Sequence, residues 1–163
     1  MLNNARAFID IMKHPVKFRM FLFRKVPAAF FSGLKVEEIN EEKCAISVPY
    51  KWFNQNPFRS TYFATLSMAG EMSTGALAMA YLFKLEKPVS MLVTSIEGNF
   101  LKKATGKTIF TCEEGGLFRT AIAEAIASGE AKIVRARTTG RNSNGEIVAE
   151  FLVSWSFKKK SGS

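Results

Sequence analysis

One histidine and two cysteines are all the imidazole and thiol that 163 residues provide. His14 lies in the amino-terminal region, outside the central architecture, which excludes catalysis by a core histidine. Cys44 and Cys112 stand far apart, in neither a metal-binding nor a redox spacing. They read as small core residues of a cytosolic protein, and no metal site is expected. Carboxylates are also few: 14 Asp and Glu against 23 Lys and Arg leave a net charge of +9. That balance favours an anionic partner, whether nucleic acid, acidic lipid or a phosphate-bearing ligand. The cations are scattered, without zinc-finger spacing, RNP-type aromatics or a helix-turn-helix pattern, so no specific nucleic-acid partner is expected. No apolar h-region precedes a small-residue cleavage site; Arg6, Asp10 and Lys13 interrupt the amino terminus. A secretory signal is therefore not expected, and a cytoplasmic location is. Internal repeats and linkers are missing too, which points to one main domain.

What the chain does have is an almost uncharged run, STYFATLSMAGEMSTGALAMAYLFKL, from Ser60 to Leu85. Between Ser60 and Phe83 its one charge is Glu71. As a helix it would be ~39 Å long, and its apolar residues point all round, so it must be covered on nearly every side. Gly70 and Gly75 each cost about 1 kcal/mol against alanine in a helix interior, so close packing or a ligand is expected beside them. A membrane span is disfavoured, because Glu71 near a bilayer centre costs about 2.5–3.5 kcal/mol. A structural carboxylate satisfied by local hydroxyls is the plainer reading of Glu71.

Taken in order, 2–13 and 16–25 predict two short amphipathic helices split at His14-Pro15. The second is basic and aromatic. It fits either packing over the core, closing one end of a pocket, or peripheral contact with an anionic membrane. After Pro27 the pattern turns to period two, and 34–40 and 43–50 predict a hairpin. The loop KWFNQNPFR leads to the central helix, with Ser60 or Thr61 as its amino-terminal cap. Strands follow over 89–103 and 107–113, the first with Leu92, Thr94, Ile96 and Phe100 on one face. A helix over 117–127 stops at Ser128-Gly129, and a last hairpin joins 131–140 to 146–158. The expected layout is an amino-terminal helical extension at 1–27, the main domain at 28–158 and a polar tail at 159–163. An antiparallel sheet covers only part of a long helix, and a second copy of the chain is the simplest cover for the flank that includes Glu71.

This α+β order, about six strands wrapped round a long helix with one extra helix between later strands, resembles the hotdog fold of acyl-thioester hydrolases and dehydratases. From Asn56, NPFRSTYFATLSMAGEMSTG is similar to a thioesterase-like pattern: an Asn, Gly-Thr-x-His before the helix, an acid within it and a Gly one turn later. Asn56, Ser60, Glu71 and Gly75 take the matching positions. SIEGNFLKKATGK and NSNGEIVAEFLVSW resemble the same proteins' Phe-Leu-x-x-Ala-x-Gly turn and last hairpin. Arg59 stands where the family usually has Gly, and Tyr62 where it often has His. The glycine lets a thioester carbonyl approach the first helical amides, so Arg59 is expected to narrow that approach. In helix-grip lipid carriers, the rival fold, the long helix usually comes last in the chain.

The resemblance implies an acyl-CoA thioesterase-like hydrolase working as a homodimer or tetramer, with coenzyme A entering only as part of the substrate. The alternative is a non-catalytic relative that holds acyl chains or acyl-CoA. Thioester hydrolysis needs donors to polarise the carbonyl and a carboxylate to attack it or to activate water. The expected donors are Asn56 and the free amides of Thr61, Tyr62 and Phe63. Ser60 or Tyr62 would add a hydroxyl; plain core packing is the competing reading for Tyr62, and a turn-forming role for Asn56. Glu71 lies ~15 Å along its own helix, so the family's solution is a site across the dimer, one chain's helix start facing the other's Glu71. Thr74 would orient Glu71 or a water. Lys102 and Lys103, with Lys107, Arg135 and Arg137, would meet coenzyme A phosphates, unless they only form a solvated face.

Overall fold

The computed structural model describes residues 2–160. Helices α1 (Leu2–Lys13), α2 (Pro15–Lys25) and α3 (Pro27–Ser32) come first, then strands β1 (Lys35–Ile39) and β2 (Cys44–Val48) and a short 3-10 turn (Trp52–Asn54). The long helix α4 (Phe63–Leu82) precedes β3 (Val89–Phe100), β4 (Thr108–Cys112), α5 (Gly115–Ser128), β5 (Lys132–Arg141) and β6 (Ile147–Lys159). All pairings are antiparallel, and the sheet runs β1-β2-β4-β5-β6-β3. It wraps around α4, as the hotdog resemblance requires. Most of the expected tail, residues 161–163, lies outside the described residues; Lys159 belongs to β6.

The alternating pattern of β6 does what period two demands. Phe151, Val153, Trp155 and Phe157 are buried against α4 and α5, while Leu152 and Ser156 face outward. The small residues of α4 let it sit close to that face. A Cβ on Gly70 would lie 2.5 Å from the Phe151 ring, and one on Gly75 3.2 Å from Trp155. The hydroxyls of Ser73 on α4 and Thr138 on β5 meet at 2.7 Å, so this contact is closed without an orphaned polar group. Cys44 and Cys112 are register partners across β2 and β4, both buried and unbridged. Burial pushes the Cys112 thiol up to about 12.

Three departures from the sequence expectation matter. Chain after Pro27 forms α3 before any strand begins, and Gly33 in the left-handed region ends it. In β3 a bulge between Val93 and Ser95 resets the alternation. Leu92 therefore pairs with outward Ser156 while Ile96 pairs with inward Val153, so these two do not share a face. Lastly, the chain itself covers much of α4's remaining flank. Helix α1 buries Ala5, Phe8, Ile9 and Met12, an i, i+3, i+4, i+7 stripe, and α2 buries Phe18 and Leu22. The packing alternative for α2 thus holds for one of its faces.

The β1–β2 turn anchors the far end of α4. Tyr81 donates its hydroxyl to the Glu41 carbonyl at 2.6 Å, and the Gly115 amide at the start of α5 donates to the Glu42 carbonyl at 3.0 Å. Arg6 of α1 pairs with Glu41 at 3.0 Å and Arg119 of α5 with Glu42 at 3.4 Å. A Cβ on Gly115 would meet the Glu41 carbonyl oxygen at 2.1 Å, so only glycine fits there.

Candidate functional site: two cavities on one helix

The chain enters α4 through a loop held by Asn56. Its Oδ1 accepts from the amides of Phe58 (3.0 Å) and Ser60 (3.2 Å) and from the Ser60 hydroxyl (3.2 Å). Two backbone donors on Oδ1 fix the orientation of the amide, and the Nδ2 group is left without an acceptor among the described residues. The turn-forming role of Asn56 is therefore real, and it leaves the donor end available. Ser60 is buried and committed to Asn56.

Of the three helical amides expected to be free, Thr61, Tyr62 and Phe63, only that of Phe63 lacks an acceptor among the described residues. Thr61 donates both its amide (2.8 Å) and its hydroxyl (3.1 Å) to the Ala104 carbonyl, and the Tyr62 amide donates to the Asn54 carbonyl at 2.6 Å. Neither Ser60 nor Thr61 caps the helix. Tyr62 occupies the cap position, where its side chain cannot accept from the first turn. The amides of Phe63 and Ala64 consequently have no acceptor among the described residues. Sequence reasoning missed Asn54, which is fully buried. Its Nδ2 bridges the carbonyls of Ser32 and Pro49, both at 2.8 Å, and its own carbonyl holds Tyr62. One more asparagine in a loop rich in them gave no distinguishing signal.

Asn56, Ser60, Thr61, Tyr62 and Phe63 line an open cavity of about 550 Å³ that is also bordered by Phe100 to Ala104. Tyr62 is 46% exposed here, so it is a wall of the cavity and not a core residue. Lys102 and Lys103 both border it; Lys102 is paired with Glu146, whereas Lys103 has no ion pair among the described residues. Lys107 and Arg135 are paired elsewhere, with Glu37 (3.2 Å) and Glu97 (2.7 Å), and the Arg137 amide donates to Glu114 at 2.7 Å. Arg59 does not narrow the approach. Its φ of +58° is the left-handed geometry that glycine adopts freely, and its exposed side chain stands outside the cavity lining.

Glu71 lies in a second, smaller cavity of about 210 Å³ on the same helix, among Phe8, Met12, Phe18, Phe21, Met91 and Trp155. It is the one ionisable group in that lining. Its carboxyl has no hydrogen-bond or ion-pair partner among the described residues, and burial pushes its pKa above the ordinary carboxylate value. Gly75 leaves room beside it: a Cβ there would be 3.3 Å from Oε1. Thr74 does not orient the carboxylate. It is fully buried, donating to the Glu71 backbone carbonyl at 2.8 Å and accepting from the Trp155 indole at 2.9 Å. Glu71 is eight positions beyond Phe63, ~12 Å along α4. Within one chain, the donors and the acid occupy different cavities.

A family model described as "Domain of unknown function (DUF4442)" matches residues 16–156. No curated protein matches the sequence. Among solved structures, the chain is similar to a Pseudomonas aeruginosa protein of unknown function named a probable thioesterase, with 20% identity, a TM-score of 0.76, and coverage of 90% of this chain and 97% of that one. A Chlorobaculum tepidum protein of unknown function aligns at 13% identity and a TM-score of 0.75, with the same coverages of 90% and 97%. A thioesterase from Haemophilus influenzae aligns at 13% identity and a TM-score of 0.63, covering 88% of this chain and 90% of that one. At these identities the likeness establishes the fold, which is hotdog.

Proposed function

The chain belongs to the DUF4442 family, and from that premise and its hotdog fold we propose that it hydrolyses an acyl thioester, with acyl-CoA as the substrate class. The observation that carries this reading is the uncapped start of α4. Phe63 and Asn56 line one open cavity, and the Phe63 amide, its neighbour on Ala64 and the Asn56 Nδ2 group have no acceptor among the described residues. Donors fixed in that way stabilise the oxyanion that forms when a thioester carbonyl is attacked. Glu71 supplies the base: it takes a proton from water as the hydroxyl adds to the carbonyl, the carbon–sulfur bond breaks, and the proton passes to the departing thiolate. Attack by the carboxylate itself, followed by hydrolysis of the anhydride, gives the same products.

The working unit in this proposal is a homodimer in which one chain's helix start faces its partner's Glu71. The free edge of β3 supports it, since this strand of 12 residues is paired on one side and carries exposed Ile96 and Phe100 on its inner face. In this proposal Lys103, which borders the cavity and has no ion pair among the described residues, meets a coenzyme A phosphate. A second reading, in which the chain holds an acyl group without cleaving it, is favoured by one feature: Glu71's cavity is walled by the chain's own α1 and α2.

Thiol release from a panel of acyl-CoAs decides between them. Wild type should be active and Glu71→Ala slower by about 10²–10⁴-fold. Mixing Glu71→Ala with Asn56→Ala chains should restore part of the rate, because one hybrid site then keeps both groups. Equal rates in wild type and Glu71→Ala would remove the enzymatic claim, and failure of the mixture would remove the shared site.

A further inference from the structure

We propose that the exposed face of α2, continued over α3 and the Trp52–Asn54 turn, docks on an anionic lipid bilayer. Helix α2 is apolar on two sides. Phe18 and Leu22 are buried, yet Val16, Met20 and Phe23 are 60%, 50% and 57% exposed. At 3.6 residues per turn, these three fall within an arc of about 60°, roughly opposite the buried pair. Arg19 borders the arc on one side, and Lys17 and Arg24 border it on the other. An apolar stripe edged by cations is the arrangement of a helix lying in a headgroup layer.

The stripe is not isolated. Ring contacts run from Phe23 to Phe30 (5.1 Å), Phe30 to Phe31 (5.3 Å) and Phe31 to Phe53 (6.3 Å), so α2, α3 and the turn present one aromatic surface. Trp52, next to Phe53, is 82% exposed. Arg19 stacks on Phe30 at 4.2 Å, and a groove of about 540 Å³ runs between Arg19, Arg24 and the apolar side chains, suited to a phosphate above an acyl tail.

Charge selects the partner. Residues 11–36 carry six lysines and arginines and no carboxylate. Six cations elsewhere pair with acids, Arg6, Lys43, Lys102, Lys107, Arg119 and Arg135; none of the α2 cations has an ion pair among the described residues. The elements against α2 bring two carboxylates: Asp10 on α1, and Glu71, which faces the inner cavity. A patch this apolar on a monomer marks a contact site, and its uniformly positive border fits anionic headgroups better than a protein surface of mixed charge.

Two tryptophans make the test direct, because Trp155 is buried with its indole hydrogen-bonded and Trp52 is exposed. Vesicles containing phosphatidylglycerol should sediment the full chain and shift its tryptophan emission to the blue. Pure phosphatidylcholine should do so far less, and added salt should weaken the effect. Trp52→Phe should lose the shift while still sedimenting. Met20→Ser with Phe23→Ser, and separately Lys17→Glu with Arg24→Glu, should each reduce binding by about tenfold or more. These side chains are exposed, so near-UV circular dichroism should stay unchanged. No sedimentation with anionic vesicles overturns the proposal, as does equal binding to both vesicle types. So would self-association in solution that the Met20/Phe23 variant abolishes, since a second copy would then own the patch.

Discussion

The two cavities on α4 differ in nearly every material respect. The one at the helix start is open, with backbone and amide donors and a lysine at its rim. The one at mid-helix is small and apolar, with a single carboxyl as its ionisable group. Among the described residues, the first has hydrogen-bond donors without an acceptor and the second has an acceptor without a donor. Each leaves unsatisfied what the other supplies, and ~12 Å of helix keeps them apart within one chain. A helix can thus display donors and an acid while preventing them from neutralising one another.

The strongest way to break that contrast is to change what the first cavity donates while leaving its shape alone. Asn56→Asp keeps the oxygen that accepts from Phe58 and Ser60 but deletes the Nδ2 donor. Acyl-CoA hydrolysis should drop by about 100-fold, in kcat more than KM, with the melting temperature little changed. A rate near wild type would reduce Asn56 to a loop former.

A second prediction concerns the acid. Because burial raises the Glu71 pKa above its ordinary 4.5, the folded state binds a proton more tightly than the unfolded one. Stability from this group is complete below the unfolded value and is lost as pH rises through the folded one. Glu71→Gln should therefore unfold at a higher temperature than wild type at neutral pH and lack that alkaline loss, while losing activity. Wild-type kcat should rise with pH through the same raised value, as a base requires. A variant less stable than wild type at neutral pH would mean the carboxylate has a partner.

Smaller effects sharpen the boundary of the first cavity. Lys103→Glu should raise KM several-fold for a coenzyme A thioester but not for the same acyl group on a short uncharged thiol, and salt should shrink the difference. Smallest of all, Arg59→Gly should leave kinetics unchanged, because the side chain is outside the lining. Relief of the left-handed backbone should offset the added freedom of the unfolded chain, for a net change of about 1 kcal/mol or less by thermal melting.

Long-period features were legible in the sequence. The alternation of β6, the charge-poor run of α4 and the stop at Gly129 each follow from one repeated local preference, and they locate the sheet, its helix and α5. Asn56, Ser60, Thr61, Tyr62, Lys102 and Lys103 do gather round one cavity. What sequence could not give was the destination of single hydrogen bonds. Thr61 reads as a cap but spends its donors on Ala104, 43 residues away, and Thr74 bonds Trp155 and the Glu71 backbone carbonyl instead of the Glu71 carboxylate. The bulge at Thr94 is equally silent, since one extra residue leaves composition unchanged while exchanging the faces of Leu92 and Ile96. Arg59 misled for a related reason: a backbone angle, not side-chain bulk, is what its position demands.

The tip of a hairpin is usually where a chain best tolerates cutting or lengthening. At Glu41 and Glu42 the reverse should apply, because three helices are moored to those two residues. A protease nick or a peptide spliced in there would slacken α4 from the end remote from the open cavity at its start. Damage to that cavity would then arrive from the opposite end of the helix.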